Sequence, residues 1–269
     1  MISGLLGIGG GVLAVPFFYL LMSGTLLGVL PVLPEHQAAL AHATSLALIV
    51  PTALSGLRAY ERKGLVEWSV VLPLGTGAGV AAVLGAQLAA RLPSLGLKVA
   101  FGAFLLVMAW RLARGRQRPA TETDDRGAPV PRISWAAGLT GGGAIGLLSA
   151  LLGVGGGIVA IPILLRWARL DLHRIVPASL GIITMAALAG TLSYIVAGWG
   201  TEALPPGSLG FVHLPLFAAM LPGAILLAPV GARWNQALPV EALRRIFALL
   251  LLVIGVRLLW VNGALLLGS

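Results

Sequence analysis

Ten residues occur twice in this chain, both times inside a long apolar stretch, and an unbroken helix accommodates the phrase only at a cost. Residues 7–16 read GIGGGVLAVP and residues 153–162 read GVGGGIVAIP. Gly7/Gly153, Gly9/Gly155, Gly10/Gly156, Gly11/Gly157, Ala14/Ala160 and Pro16/Pro162 are identical, and the other positions exchange one aliphatic residue for another. Each glycine within a helix costs about 1 kcal/mol relative to alanine. The proline that follows in each copy frees a carbonyl one turn back. Two helix-breaking clusters at corresponding places point to a bundle of two related halves, with its site where the breaks meet.

The surroundings of both copies are those of a bilayer. The chain is 58% hydrophobic and 10% charged, with a mean hydropathy of +0.97; soluble domains carry roughly 25% charged residues. A membrane barrel needs alternating strands of about ten residues, whereas the runs here are longer and apolar throughout. The net charge of +9 resides in short loops beside apolar segments, where it sets orientation in the membrane. Nucleic acid is therefore not an expected partner. With no cysteine and four histidines outside metal-ligand spacing, no metal, iron–sulfur or disulfide chemistry is expected. No catalytic signature or cofactor motif is present, so the chain does not read as an enzyme. The N-terminus lacks the basic lead-in of a cleavable signal peptide. The tryptophans sit near the ends of apolar segments, where indoles favour the headgroup region.

Apolar segments run over 4–22, 37–57, 68–90, 95–112, 133–165, 175–198, 209–232 and 243–262. The charged, Pro/Gly-rich stretch 113–132 separates a first transmembrane repeat, 1–112, from a second, 133–269. Two further blocks align: 44–64 with 178–198, pairing Ser45/Ser179 and Tyr60/Tyr194, and 85–93 with 231–239. The halves are expected to form one integrated bundle. The apolar stretch 133–150 ahead of the second copy has no counterpart of similar length before the first. A start codon assigned too late and a helix that is absent both account for this.

Segment 133–165 is too long for one crossing, which takes about 20 residues. As a single crossing it would divide the lysines and arginines eight to ten between the two sides; as two pieces returning to one side it divides them fifteen to three. The second division obeys the positive-inside rule. It predicts 113–132, 166–174 and 233–243 on the cytoplasmic side, with 23–34 and 199–208 external. Equivalent loops then carry opposite charge bias, as inverted repeats require. The fold class is an all-α polytopic membrane protein of two homologous, inverted repeats with Gly-broken helices or helical hairpins.

A helix that restarts within a glycine cluster presents free N–H groups and the positive end of its dipole, which together favour an anion. Substrate-binding residues are accordingly expected at Gly9, Gly10, Gly11, Gly155, Gly156 and Gly157. The apolar segments carry no convincing Lys, Arg, Asp or Glu, so hydroxyls must complete the shell. The candidates are Thr44, Ser45, Thr52, Ser179, Thr184 and Thr191, of which Ser45 and Ser179 form the aligned pair. Thr44 lies beside Ser45, and His42 can relay a proton or bind as an imidazolium. The competing reading of the glycines is close helix packing, that of the hydroxyls bonding to their own helix carbonyls, and that of both tyrosines a place in the interfacial belt.

GLLGIGGGVLAVP (4–16), LLSALLGVGGGIVAIP (147–162) and AHATSLALI (41–49) resemble the TauE/SafE family of bacterial membrane proteins, described as sulfite exporters or sulfonate permeases. The resemblance covers nearly the whole chain. Gly9, Gly10, Gly11, Gly155, Gly156 and Gly157 match the family's motif, and Ser45 falls in its Thr/Ser stretch. The chain departs from the pattern in its short N-terminus. Membership implies secondary transport of sulfite, an organosulfonate or a related oxyanion across the bacterial inner membrane. The partners are then a small anion, the bilayer and, as an open choice, further copies of the chain. No Walker motif is present. A non-transporting anchor subunit and a channel-like anion uniporter are the alternatives.

Overall fold

The computed structural model describes residues 11–22, 32–114, 133–166, 172–202, 204–237 and 240–267. Among these the chain is helical apart from one small hairpin. The helices are α1 (Gly11–Met22), α2 (Gln37–Glu61), α3 (Trp68–Arg91), α4 (Ser94–Arg114), α5 (Trp135–Leu152), α6 (Gly157–Arg166), α7 (Leu172–Ala197), α8 (Leu214–Ala237) and α9 (Val240–Leu267). Six described helices are long and apolar enough to cross a membrane: α2, α3, α4, α5, α7 and α9. The expected all-α polytopic architecture is the one observed.

The apolar segment expected over 209–232 is not helical from its start. Strands β1 (Ser208–Leu209) and β2 (Val212–His213) pair antiparallel, and α8 begins only at Leu214. His213 Nδ1 accepts the Leu216 N–H at 3.2 Å, which satisfies a first-turn donor as an N-cap side chain does. Segment 133–165 divides as its length required. Ser134 caps α5 by accepting from the Ala137 N–H; the helix stops at Leu152, and α6 starts five residues later, at Gly157.

Small residues set the closest packing. Gly138, Gly142 and Gly146 of α5 lie against Pro73, Leu74 and Ala78 of α3, where a Cβ on Gly142 would strike the Leu74 carbonyl oxygen. Backbones can approach this closely in a bilayer only over residues of this size. Along α3 and α7, Val71 meets Gly181, Gly75 meets Met185 and Gln87 bonds Ser193, so the two helices run parallel. By contrast, α2 and α7 run antiparallel: Leu46 meets Gly190 and Gly56 meets Leu180. The outer pair α4 and α9 is antiparallel too, with Gly102 against Leu258 and Leu106 against Gly255.

Arg174 Nη1 donates to Glu67 Oε1 at 2.6 Å. The residue before α3 and the first turn of α7 therefore share one end of the bundle. That arrangement needs 133–166 to leave and return on one side; a single crossing would separate the two residues by the full bilayer. On the outside, Trp68, Trp110, Trp135, Trp199 and Trp260 are exposed, as interfacial anchors are. Tyr194 is not one: it is wholly buried, and its hydroxyl donates to the Ala150 carbonyl.

Candidate functional site

The second glycine phrase is a sharp break in the backbone. Gly153, Gly155 and Gly156 have φ of +65°, +79° and +72°, left-handed values that cost other residues roughly 1–2 kcal/mol each. The turn reverses the chain within four residues, and α6 is ten residues long, about 15 Å at 1.5 Å per residue. That is half a hydrocarbon core.

At Gly155 the break is level with the middle of two long helices. A Cβ on Gly155 would meet Ile49 Cδ1 at 2.7 Å and Ile183 Cγ2 at 3.5 Å. Ile49 is the thirteenth residue of α2 and Ile183 the twelfth of α7. They are equivalent in the alignment of the two halves, and one turn earlier on each helix stands Ser45 or Ser179. The first phrase arrives at the same point. A Cβ on Gly11 would lie 2.5 Å from the Gly153 carbonyl oxygen and 2.9 Å from the Val154 carbonyl carbon. Gly153 itself faces the His42 backbone.

Two of the carbonyls that end α5, and that of Gly153 just beyond it, accept donors. Ser45 Oγ donates to the Gly153 oxygen at 2.8 Å, Tyr194 Oη donates to the Ala150 oxygen at 2.9 Å, and the Ser149 oxygen accepts the Val154 N–H at 3.2 Å. A broken helix brings a negative C-terminal end beside a positive N-terminal end. Here three carbonyls at the negative end accept donors, and at the start of α6 the Val159 and Ala160 N–H groups donate to the Gly156 carbonyl, which leaves those of Gly157 and Ile158 without a carbonyl of their own helix.

Four buried polar atoms near these helices have no hydrogen-bond partner: Ser149 Oγ, Ser179 Oγ, Thr191 Oγ1 and His42 Nδ1. His42 Nε2 lies 2.6 Å from the Tyr19 hydroxyl. Behind Tyr19, the Lys98 ammonium sits 5.7 Å from the ring centroid and donates to Gln37 Oε1 at 2.6 Å. Gln37 in turn donates to the Met22 and Val32 carbonyls. A partly buried cation thus stands inside α4, where no intramembrane charge was expected. Lys98 is five residues into its helix, near enough to the end to pass for a loop charge in the sequence.

The structure brings Gly11, Gly155, Gly156, Gly157, His42 and Ser45 to one place, with Ser179 one turn from the contact of Ile183. Gly9 and Gly10 lie outside the described residues. Thr44 faces the hairpin, its Oγ1 accepting the His213 N–H at 3.1 Å. Thr52 and Thr184 bond carbonyls of their own helices. Sequence reasoning passed over Ser149, Tyr19, Gln37 and Lys98. Of these only Ser149, a lone hydroxyl just ahead of the glycine phrase, carried a local signal.

A polytopic helical membrane protein with a glycine break inside its bundle is the class that fold and site define. The chain belongs to the sulfite exporter TauE/SafE family, whose model matches residues 1–258. It is 26% identical over 261 residues to a “Probable membrane transporter protein” of Haemophilus influenzae, covering 96% of this chain and 92% of that one. YunE of Bacillus subtilis, with the same description, is 26% identical over 270 residues, covering 96% and 93%. A third, from Methanocaldococcus jannaschii, is 27% identical over 261 residues, covering 96% and 91%. No solved structure matches the chain. The protein is thus a membrane transporter by family.

Proposed function

We propose that this transporter moves a small sulfur-containing oxyanion, sulfite or an organosulfonate, by secondary transport, with the substrate held where the two glycine phrases meet. The observation that carries the reading is the contact of Gly11, from the first phrase, with the Gly153–Val154 backbone of the second. The antiparallel courses of α2 against α7, equivalent in sequence, and of α4 against α9, which follow the last aligned block in each half, support inverted repeats. In such folds substrate sites lie at the repeat interface near the midplane.

The electrostatics suit an anion. Placing a charge at the bilayer centre costs at least roughly 2.5–3.5 kcal/mol on insertion scales. A helix N-terminus supplies about half a positive charge, and hydrogen bonds to a charged group contribute about 1.5–3 kcal/mol each. Ser45 and Tyr194 bond the Gly153 and Ala150 carbonyls, which weakens their repulsion of an anion at the N-terminus of α6. Gly9, Gly10 and Gly11 would supply the matching surface from the first half, with Ser179 and His42 Nδ1 beside the ligand and Thr44 on the hairpin side.

The test is uptake of labelled sulfite and of an alkanesulfonate by proteoliposomes. Wild-type protein is expected to concentrate at least one of them under an imposed gradient, and Gly156→Leu to abolish uptake while still reconstituting. A Cβ at Gly156 meets Ile145 Cγ2 at 2.8 Å, in a backbone conformation that leucine resists. Normal uptake by that variant would refute the site, and absence of wild-type uptake would refute the substrate class.

A further inference from the structure

We infer that Ser149 is an anion ligand, the hydroxyl donor that α5 contributes to the N-terminus of α6; the inference rests on the anion site proposed above. The helix end alone would not carry it. The independent observation is the state of the side chain: Ser149 is 0% exposed, and its Oγ has no hydrogen-bond partner. A buried hydroxyl without a partner is costly, and this one has an ordinary remedy close by. Thr52, Thr76, Thr140 and Thr184 all turn their hydroxyls onto carbonyls three or four residues earlier in their own helices. Ser149 does not.

Its position gives the reason. The Ser149 Cβ stands 3.2 Å from where a Cβ on Gly156 would be, so the serine faces the residue at which α6 begins. Two turns carry the chain from Ser149 through the left-handed glycines and back, and the backbone ring closes on the serine's own carbonyl, which accepts from Gly153 and Val154. The carbonyl is satisfied and the hydroxyl is left unpartnered on a residue packed against Gly156, at the start of α6. A buried hydroxyl with no partner, packed against the residue from which a helix starts, matches a small oxyanion drawn to that helix end. A cationic ligand would find no partner for its charge at a helix N-terminus. Ser45, the hydroxyl that sequence alignment singled out, has donated its proton to Gly153; Ser149 fills the ligand role in its place on this side of the break.

The test is thermal unfolding of the purified full-length protein in detergent, titrated separately with sulfite, methanesulfonate, phosphate and chloride. At least one oxyanion is expected to stabilise the wild type. Ser149→Ala is expected to need on the order of tenfold more of that anion or higher, the effect of one hydrogen bond to a charged group. Without anion it should melt at or above the wild-type temperature, since an unpartnered hydroxyl has been removed. Thr76→Ala, whose hydroxyl bonds its own helix, should match the wild type in both measurements. If Ser149→Ala retains wild-type affinity, or melts lower without anion, the assignment is overturned and the serine is structural. If phosphate alone acts and needs Ser149, the inference stands while the sulfur reading falls. If none of the four stabilises the wild type, both fall.

Discussion

Replacing Ser45 with alanine separates a strut from a ligand. The hydroxyl lies 108 residues in sequence from the carbonyl it binds, at 2.8 Å and fully buried. Interhelical hydrogen bonds in membranes contribute about 0.6 kcal/mol on average and up to about 1.7 kcal/mol. A buried carbonyl left without its donor costs about 1–3 kcal/mol. The lower range governs here, because the unfolded chain in a bilayer also finds partners, and a loss of about 1–2 kcal/mol follows. At about 2–4 °C per kcal/mol for a chain of this size, the melting temperature should fall by roughly 2–8 °C. Affinity should fall as well. The freed Gly153 oxygen would direct a lone pair at the anion and restore the negative end of α5, which should raise the apparent KM on the order of tenfold, or about 1.4 kcal/mol. Tryptophan fluorescence melts in detergent and initial uptake rates in proteoliposomes read the two effects. If Ser45→Ala melts with the wild type and keeps its KM, the strut carries no energy and the account of a quenched helix end is wrong.

Ser179→Ala removes a buried hydroxyl that has no partner, so its melting temperature should hold while KM rises on the order of tenfold; a melting loss like that of Ser45→Ala would make it a strut instead. Burial holds the His213 imidazole below its ordinary range. Below about pH 6.5 the unfolded chain takes up a proton that the folded protein refuses, so stability should decline as pH falls. His213→Asn keeps a capping acceptor and should flatten that decline, and superimposable pH–stability curves for the two proteins would exclude His213 as its source. In this cysteine-free chain, a membrane-impermeant thiol reagent applied to intact cells should label Glu202→Cys and spare Lys63→Cys; the opposite pattern would invert the orientation derived from charge.

The class of fold was legible in the order of residues alone. Apolar runs of bilayer length leave helices as the only structure that satisfies every backbone group. The repeated glycine phrase marked the break, because no arrangement of Gly153, Gly155 and Gly156 at positive φ can stay in a helix. The fifteen-to-three division of basic residues required 133–166 to return to one side, and the Glu67–Arg174 bond agrees. What the sequence could not assign was the use of each polar atom. Ser45 and Ser179 are equivalent in the alignment, yet one hydroxyl is bonded to a carbonyl of the other half and the other is unpartnered. Tyr60 and Tyr194 read alike as belt residues, yet Tyr194 is a buried donor to α5. Lys98 read as a loop charge and stands inside a helix, over Tyr19. A proton's direction depends on which carbonyl lies within 3 Å, and those carbonyls come from 44 and 108 residues away in the chain. Local pattern registers which residues are polar and how often the helix must turn; only tertiary packing decides which of them remain free to meet a ligand.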